Sequence, residues 1–88
     1  MKMILCILQV NDRDMVAEAL NEAGFPVTML PSTGAYFRRG NATMIAGVED
    51  NKVEDALQII RDKVKDPENP AMKSATAFVM NVDQFRRL

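Results

Sequence analysis

The residues best suited to bind a ligand lie together between residues 31 and 41. Tyr36 and Phe37 offer flat faces on which a nucleobase can stack. Arg38 and Arg39 follow directly, and guanidinium groups form charge-assisted hydrogen bonds with phosphate oxygens. The alternative is that the aromatic rings pin this loop to the core and that the arginines are solvated. The residue types alone leave both interpretations open.

Three of the four glycines lie in this segment or just beyond it, at Gly34, Gly40 and Gly47. Glycine lets the backbone approach a ligand closely or take a positive φ. Gly47 is the most informative, because it interrupts an apolar run that reads as a strand, where glycine lowers stability. It therefore indicates a bulge, close subunit packing or a backbone surface that faces a ligand.

Nucleophilic catalysis by Ser-His or Cys-His pairs is excluded, because the chain has no histidine. Its single cysteine, Cys6, lies within an apolar run and is predicted to be a buried thiol. The acidic pairs of the chain lie at predicted helix starts, where negative charge is favoured. An acylphosphatase-like role for Arg38 with Asn41 is the one enzymatic alternative, and their spacing does not support it. We expect no enzymatic activity, no catalytic residue and no metal site.

The pattern of apolar and turn-forming residues predicts four strands and two helices. Gly24 is expected to cap the first helix in a left-handed conformation, and Asn11 or Asp12 to cap its start. The long apolar run at the start of the chain predicts a central strand covered on both faces. In chain order, the predicted elements are a strand over 2–10, a helix over 12–23, strands over 27–30 and 42–48, a helix over 52–65 and a strand over 75–82.

This βαββαβ order in 88 residues predicts one α+β domain over residues 1–88 with a ferredoxin-like fold. Such a fold is a four-stranded antiparallel sheet that carries both helices on one face. Apolar residues of the last strand, including Phe78 and Met80, would then be exposed on the other face. That face is expected to form a subunit interface, which would also help a domain that buries only roughly 60–65% of its unfolded surface.

The charge balance limits the possible partners. The net charge is −1, so the chain has no overall electrostatic attraction for long nucleic acids or anionic membranes. The apolar run from residue 3 to 8 is too short to span a bilayer, and no cleavage-site pattern follows it. We therefore expect a cytoplasmic protein that binds neither long nucleic acids nor membranes.

Beyond these patterns, the run from Ser32 to Thr43, followed by Gly47-Val48-Glu49-Asp50, resembles the PII-like cyclic di-AMP receptors. The segment over residues 75–85 is similar to the same family. The resemblance implies a homotrimer that binds a cyclic dinucleotide in each cleft between neighbouring subunits and signals to a protein partner. It implies no chemistry on the ligand and no cofactor.

The resemblance also carries over pocket positions. Backbone groups are expected to read the base edge, aromatic rings to cover its face, and hydroxyl or amide side chains to donate hydrogen bonds. We add Arg38 as a phosphate contact. The expected ligand is cyclic di-AMP or another adenine nucleotide, and the residues are Thr28, Gly34, Ala35, Tyr36, Phe37, Asn41 and Gly47, with Phe78 nearby.

Two features depart from the family pattern. Pro26 stands where these receptors typically carry a basic residue, so a ligand-contacting charge is missing. The connection over residues 66–74 is short, whereas the family usually has a long insertion there. These departures motivate the alternative hypothesis of a constitutive trimeric interaction module that binds a different nucleotide or none.

Overall fold

A computed structural model describes residues 1–30, 40–64, 75–86 and 88 of the chain. The predicted 31–39 part of the loop and the 66–74 connection lie outside the described residues. No helix in the described part is long and apolar enough to cross a membrane. The elements are β1 (Lys2–Gln9), α1 (Val10–Glu22), β2 (Val27–Leu30), β3 (Asn41–Val48), a 3-10 turn (Asp50–Lys52), α2 (Val53–Lys63) and β4 (Ala75–Asn81).

Helix α1 begins two residues earlier than the sequence predicts. Its N-cap is Gln9, whose side chain makes no capping hydrogen bond, so the prediction of Asn11 or Asp12 as the cap is wrong. Asp12 instead lies in the first turn, where the exposed backbone N–H groups favour a carboxylate. The buried positions of α1 recur every fourth residue from Asp12, and the apolar Met15 beside them is 51% exposed.

The end of α1 follows the prediction closely. Gly24 has a φ of +90°, and its N–H donates to the carbonyl of Asn21 over 3.1 Å. The N–H of Phe25 donates to the carbonyl of Leu20 over 2.8 Å. These two bonds form a Schellman cap, a motif that satisfies the last helix carbonyls and favours glycine at its left-handed position. The cap buries Phe25 and leads the chain directly into β2.

The four strands form one antiparallel sheet in the order β2-β3-β1-β4. The side chains of Ile4, Cys6 and Leu8 alternate along β1 and pack with both helices. Val16 and Leu20 of α1 and Ala56 and Ile60 of α2 complete that core. The predicted ferredoxin-like βαββαβ fold is therefore confirmed, with both helices on one face of the sheet.

No helix of the described residues covers the opposite face of the sheet, which is called the open face here. The prediction that β1 is covered on both faces is not met within this chain, because Met3, Leu5 and Ile7 are only half buried. In β4, Phe78 is 53% exposed on this face, and Met80 is 36% exposed. Cross-strand register places the other apolar members of the open face on β2 and β3, at Leu30 and Ile45.

Cys6 is a buried structural thiol, as the sequence predicts. It is 1% exposed, and burial raises its pKa to about 11. The pKa of the thiol is higher in the folded than in the unfolded protein. Its contribution to the free energy of unfolding is therefore fully present below the unfolded pKa near 9 and is lost as pH rises towards 11.

We expect a thiol reagent at pH 8 to label Cys6 slowly in the native protein and rapidly in denaturant. We also expect thermal stability to fall between pH 9 and 11. Substitution Cys6→Ala should reduce that loss of stability at alkaline pH. Melting curves of the wild type and Cys6→Ala that fall equally between pH 9 and 11 would contradict this account.

Thr43 is a buried residue on the open face of β3, where the register pairs it with Ile7 and Leu30. It is 2% exposed, and its Oγ1 has no hydrogen-bond partner in the described structure. A buried hydroxyl without a partner costs about 1–3 kcal/mol. We expect Thr43→Val to raise the free energy of unfolding by about 1 kcal/mol, as measured by chemical denaturation. A loss of stability would instead show that the hydroxyl has a partner in the assembled protein.

Candidate functional site

Four of the predicted site residues lie in the described part of the chain: Thr28, Asn41, Gly47 and Phe78. The register pairs Thr28 with Ile45 and, through Leu5, places Phe78 in the same cross-strand row. Asn41 and Gly47 lie at even spacing from Ile45 on β3, so all four face the open face. The other predicted residues, Gly34, Ala35, Tyr36, Phe37 and Arg38, lie outside the described residues.

Thr28 and Gly47 line one cavity, which we call the Thr28 cavity. It has a volume of about 430 Å³ and lies at the end of the open face where β1 and β2 begin. Its walls are mostly apolar, and Thr28 supplies the one side-chain hydroxyl among them. The lining residues are Met1, Met3, Pro26, Thr28, Ile45, Ala46, Gly47, Val82 and Phe85.

A single chain does not bring the remaining two described residues to this cavity. Phe78 lies three strand spacings from Thr28, about 14 Å away across the sheet. Asn41 lies at the opposite end of β3 from Gly47, about 20 Å along the strand. The carbonyl of Gly40 holds that end in place by accepting a 2.7 Å hydrogen bond from the Val10 N–H.

Two residues in the cavity wall were not predicted as site residues. Pro26 faces the cavity with an uncharged ring. In the sequence it was recognised only as a departure from the family pattern. Phe85 follows β4 on a segment held by a 3.1 Å hydrogen bond from the Val82 N–H to the Met1 carbonyl. It is 64% exposed, so an aromatic ring lies at the cavity mouth. A lone phenylalanine within a polar tail was the sequence signal for it.

A second cavity adjoins the first, and we call it the Lys52 cavity. Its volume is about 390 Å³, and it lies between the α1 cap and the 3-10 turn. Met1 and Gly47 line both cavities. The remaining walls are Ala23, Gly24, Phe25, Val48, Glu49 and Lys52.

Charged groups near these cavities are mostly paired. The Met1 amino group lies 2.8 Å from Oδ1 of Asp50, and its hydrogen bond and charge lower the pKa of that carboxyl. The Lys2 ammonium donates a hydrogen bond to Oδ1 of Asn81. In contrast, no carboxylate of the described residues pairs with Lys52. Lys52 is thus an exposed cation at a cavity wall, without an ion-pair partner in the part of the chain that the structure describes.

The described lining of the Thr28 cavity suits the binding of a largely apolar molecule. Over residues 1–30, 40–64 and 75–86, no group of three or more histidine, cysteine, aspartate or glutamate side chains is placed to hold a metal ion. The Thr28 cavity contains no titratable side chain. An apolar pocket with a few convergent polar groups suits the recognition of a flat, largely apolar molecule such as a base.

Fold and site define a small α+β binding domain, and comparison with known proteins identifies its family. The sequence model described as "Cyclic-di-AMP receptor" matches residues 1–74 of the chain. The chain therefore belongs to the cyclic-di-AMP receptor family, which confirms the resemblance seen in the sequence. A crystal structure of a functionally unknown protein from Pediococcus pentosaceus ATCC 25745 is similar, with a TM-score of 0.79 and 27% identity. That match covers 99% of this chain and 96% of the other.

Proposed function

We propose that this protein binds cyclic di-AMP in clefts between the subunits of a homotrimer and relays ligand occupancy to a protein partner, without turnover of the ligand. The observation that carries the proposal is the family match together with the Thr28 cavity. Thr28 and Gly47, which the resemblance assigns to the nucleotide pocket, line that one cavity.

The shape and chemistry of the Thr28 cavity suit an adenine base. Met3, Ile45 and Val82 provide apolar walls, and the Phe85 ring lies where it can stack on a base. The Thr28 hydroxyl can donate to or accept from the base edge. At Gly47, the absence of a side chain leaves the strand backbone accessible to the ligand.

The positions of the other predicted residues favour a site between subunits. Thr28 and Phe78 lie at opposite edges of the open face, too far apart to hold one base within a chain. In a closed ring of subunits, the β4 edge of one chain can approach the β2 edge of the next, because cyclic symmetry joins two different surfaces. Phe78, on the β4 edge of one subunit, would then complete the Thr28 cavity of its neighbour.

The open face gives an independent reason for assembly. Its apolar side chains on all four strands would be exposed in a monomer, and patches of this kind mark interaction sites. Burying them against other copies adds hydrophobic stabilisation of about 25 cal/mol per Å² of apolar surface. We propose that this contact is the core of the trimer.

Communication with a protein partner would use the segments that approach the ligand. Gly34, Ala35, Tyr36, Phe37 and Arg38 belong to the loop that we propose to cover the nucleotide. The tail that carries Phe85 borders the same cavity. Because the 66–74 connection is short, we place the signalling surface at the loop and the tail rather than at that connection.

One observation favours the alternative hypothesis of a constitutive trimeric module. Pro26 lines the Thr28 cavity, so the departure from the family pattern falls on the cavity wall itself. A protein that trimerises but ignores nucleotides would support this alternative. Binding gained by Pro26→Arg in such a protein would identify the missing charge as the cause.

We expect isothermal titration to detect cyclic di-AMP binding in preference to cyclic di-GMP, ATP and AMP. Gly47→Val should reduce that affinity at least about tenfold, because its side chain would occupy the cavity. The fold should tolerate the change, since a Cβ at Gly47 would meet only the flexible end of Met1, at 2.9 Å. Circular dichroism and thermal unfolding check that expectation.

The matched control for this experiment is Ala77→Val, which places a valine at an exposed position of β4 on the face opposite the open face. It should bind cyclic di-AMP as the wild type does. Absence of heat and of thermal shift with all four nucleotides would refute the proposed ligand class. Equal affinity for Gly47→Val and the wild type would refute this location for the site.

For the trimer, we expect light scattering coupled to gel filtration to show three subunits for the wild type and fewer for Met80→Glu. A buried, unpaired carboxylate at the interface would disfavour assembly. Val79→Glu is the control, because Val79 is 43% exposed on the opposite face of the same strand. A monomeric wild type, or equal effects of the two variants, would contradict the assignment of the open face.

A further inference from the structure

The two adjoining cavities differ in chemistry in a way that matches the two parts of a nucleotide. The Thr28 cavity has no charged side chain, whereas Lys52 and Glu49 both line the Lys52 cavity. A nucleotide likewise joins a flat base to a charged phosphate. We propose that the Lys52 cavity receives a phosphate of the nucleotide whose base lies in the Thr28 cavity, with Lys52 as its counter-charge.

The boundary between the cavities is thin. Only Met1 and Gly47 line both of them, and Gly47 contributes no side chain. An ideal Cβ at Gly47 would lie 2.9 Å from Cε of Met1, so the methionine side chain packs directly over the glycine. Methionine is unbranched and adapts readily to neighbouring groups. A rotation of the Met1 side chain would therefore join the two cavities into one site.

Lys52 lies between two elements, as the last residue of the 3-10 turn and the residue that precedes α2. Lys52 is the N-cap residue of α2. At that end of a helix the unpaired N–H groups favour negative charge, so a lysine there is unfavourable. Its side chain is exposed and has no ion-pair partner among the described residues. A bound phosphate would supply that partner and would also lie near the positive end of α2.

Glu49 provides a second electrostatic test, in which the expected change in affinity is opposite to that for Lys52. It lines the same cavity, and its carboxylate would repel a phosphate held by Lys52. The other carboxylate of this turn, Asp50, is paired with the Met1 amino group. Removing the charge of Lys52 should therefore weaken binding, whereas removing the charge of Glu49 should strengthen it.

The experiment measures cyclic di-AMP affinity by isothermal titration at 50 and 200 mM salt. We expect Lys52→Gln to weaken binding about tenfold, the loss of one charge-assisted hydrogen bond, and to reduce the salt dependence. Glu49→Gln should strengthen binding a few-fold. Neither change should lower the melting temperature. Lys63→Gln is the control, because it removes an exposed lysine of α2 that lines neither cavity.

This inference rests on the proposed function, and the outcomes separate the two. If the wild type binds cyclic di-AMP and Gly47→Val does not, but Lys52→Gln and Lys63→Gln behave alike, the phosphate assignment is overturned and the proposed function stands. A weaker Glu49→Gln complex would also overturn it. If the wild type binds no nucleotide, both fall together.

Discussion

A sheet that is covered on one side governs the remaining features of this molecule. Because side chains alternate along a strand, the apolar run of β1 sends Ile4, Cys6 and Leu8 into the helix-covered core. The same alternation sends Met3, Leu5 and Ile7 to the open face. Both α-helices of the described residues pack on the first face. The apolar open face is therefore a direct consequence of the fold, and it motivates assembly with other copies.

The candidate site lies where several chain segments meet at one end of this sheet. The Schellman cap of α1 turns the chain into β2, and the end of β3 leads into the turn before α2. The beginning of β1 and the tail after β4 meet there through the Val82–Met1 hydrogen bond. Gly47 lies among these segments without a side chain, and of the described residues Met1 lies in the space beside it. A ligand at this end could therefore contact backbone and side chains from both ends of the chain.

Much of the fold could be predicted because local signals agreed with one another. Gly24 marked the end of α1, and β2 was predicted with its observed bounds because Pro26 and Pro31 flank it. The start of α1 could not be predicted, because Gln9 takes the N-cap position without a side-chain hydrogen bond and so leaves no recognisable cap residue. The exposure of Met15 could not be predicted, because an apolar residue beside a buried stripe looks the same in the sequence whether it is covered or exposed.

The candidate site was predictable only in part, for a geometric reason. A sequence pattern identifies residues but not their positions across a sheet, so Thr28, Asn41, Gly47 and Phe78 read as one set. The register shows that they share a face and yet lie at different edges and ends of it. Lys52 was predicted only as the start of a helix, because its proximity to Gly47 depends on the turn between β3 and α2. One chain does not bring these four residues together, because a strand pairing fixes each of them at its own edge or end of the sheet.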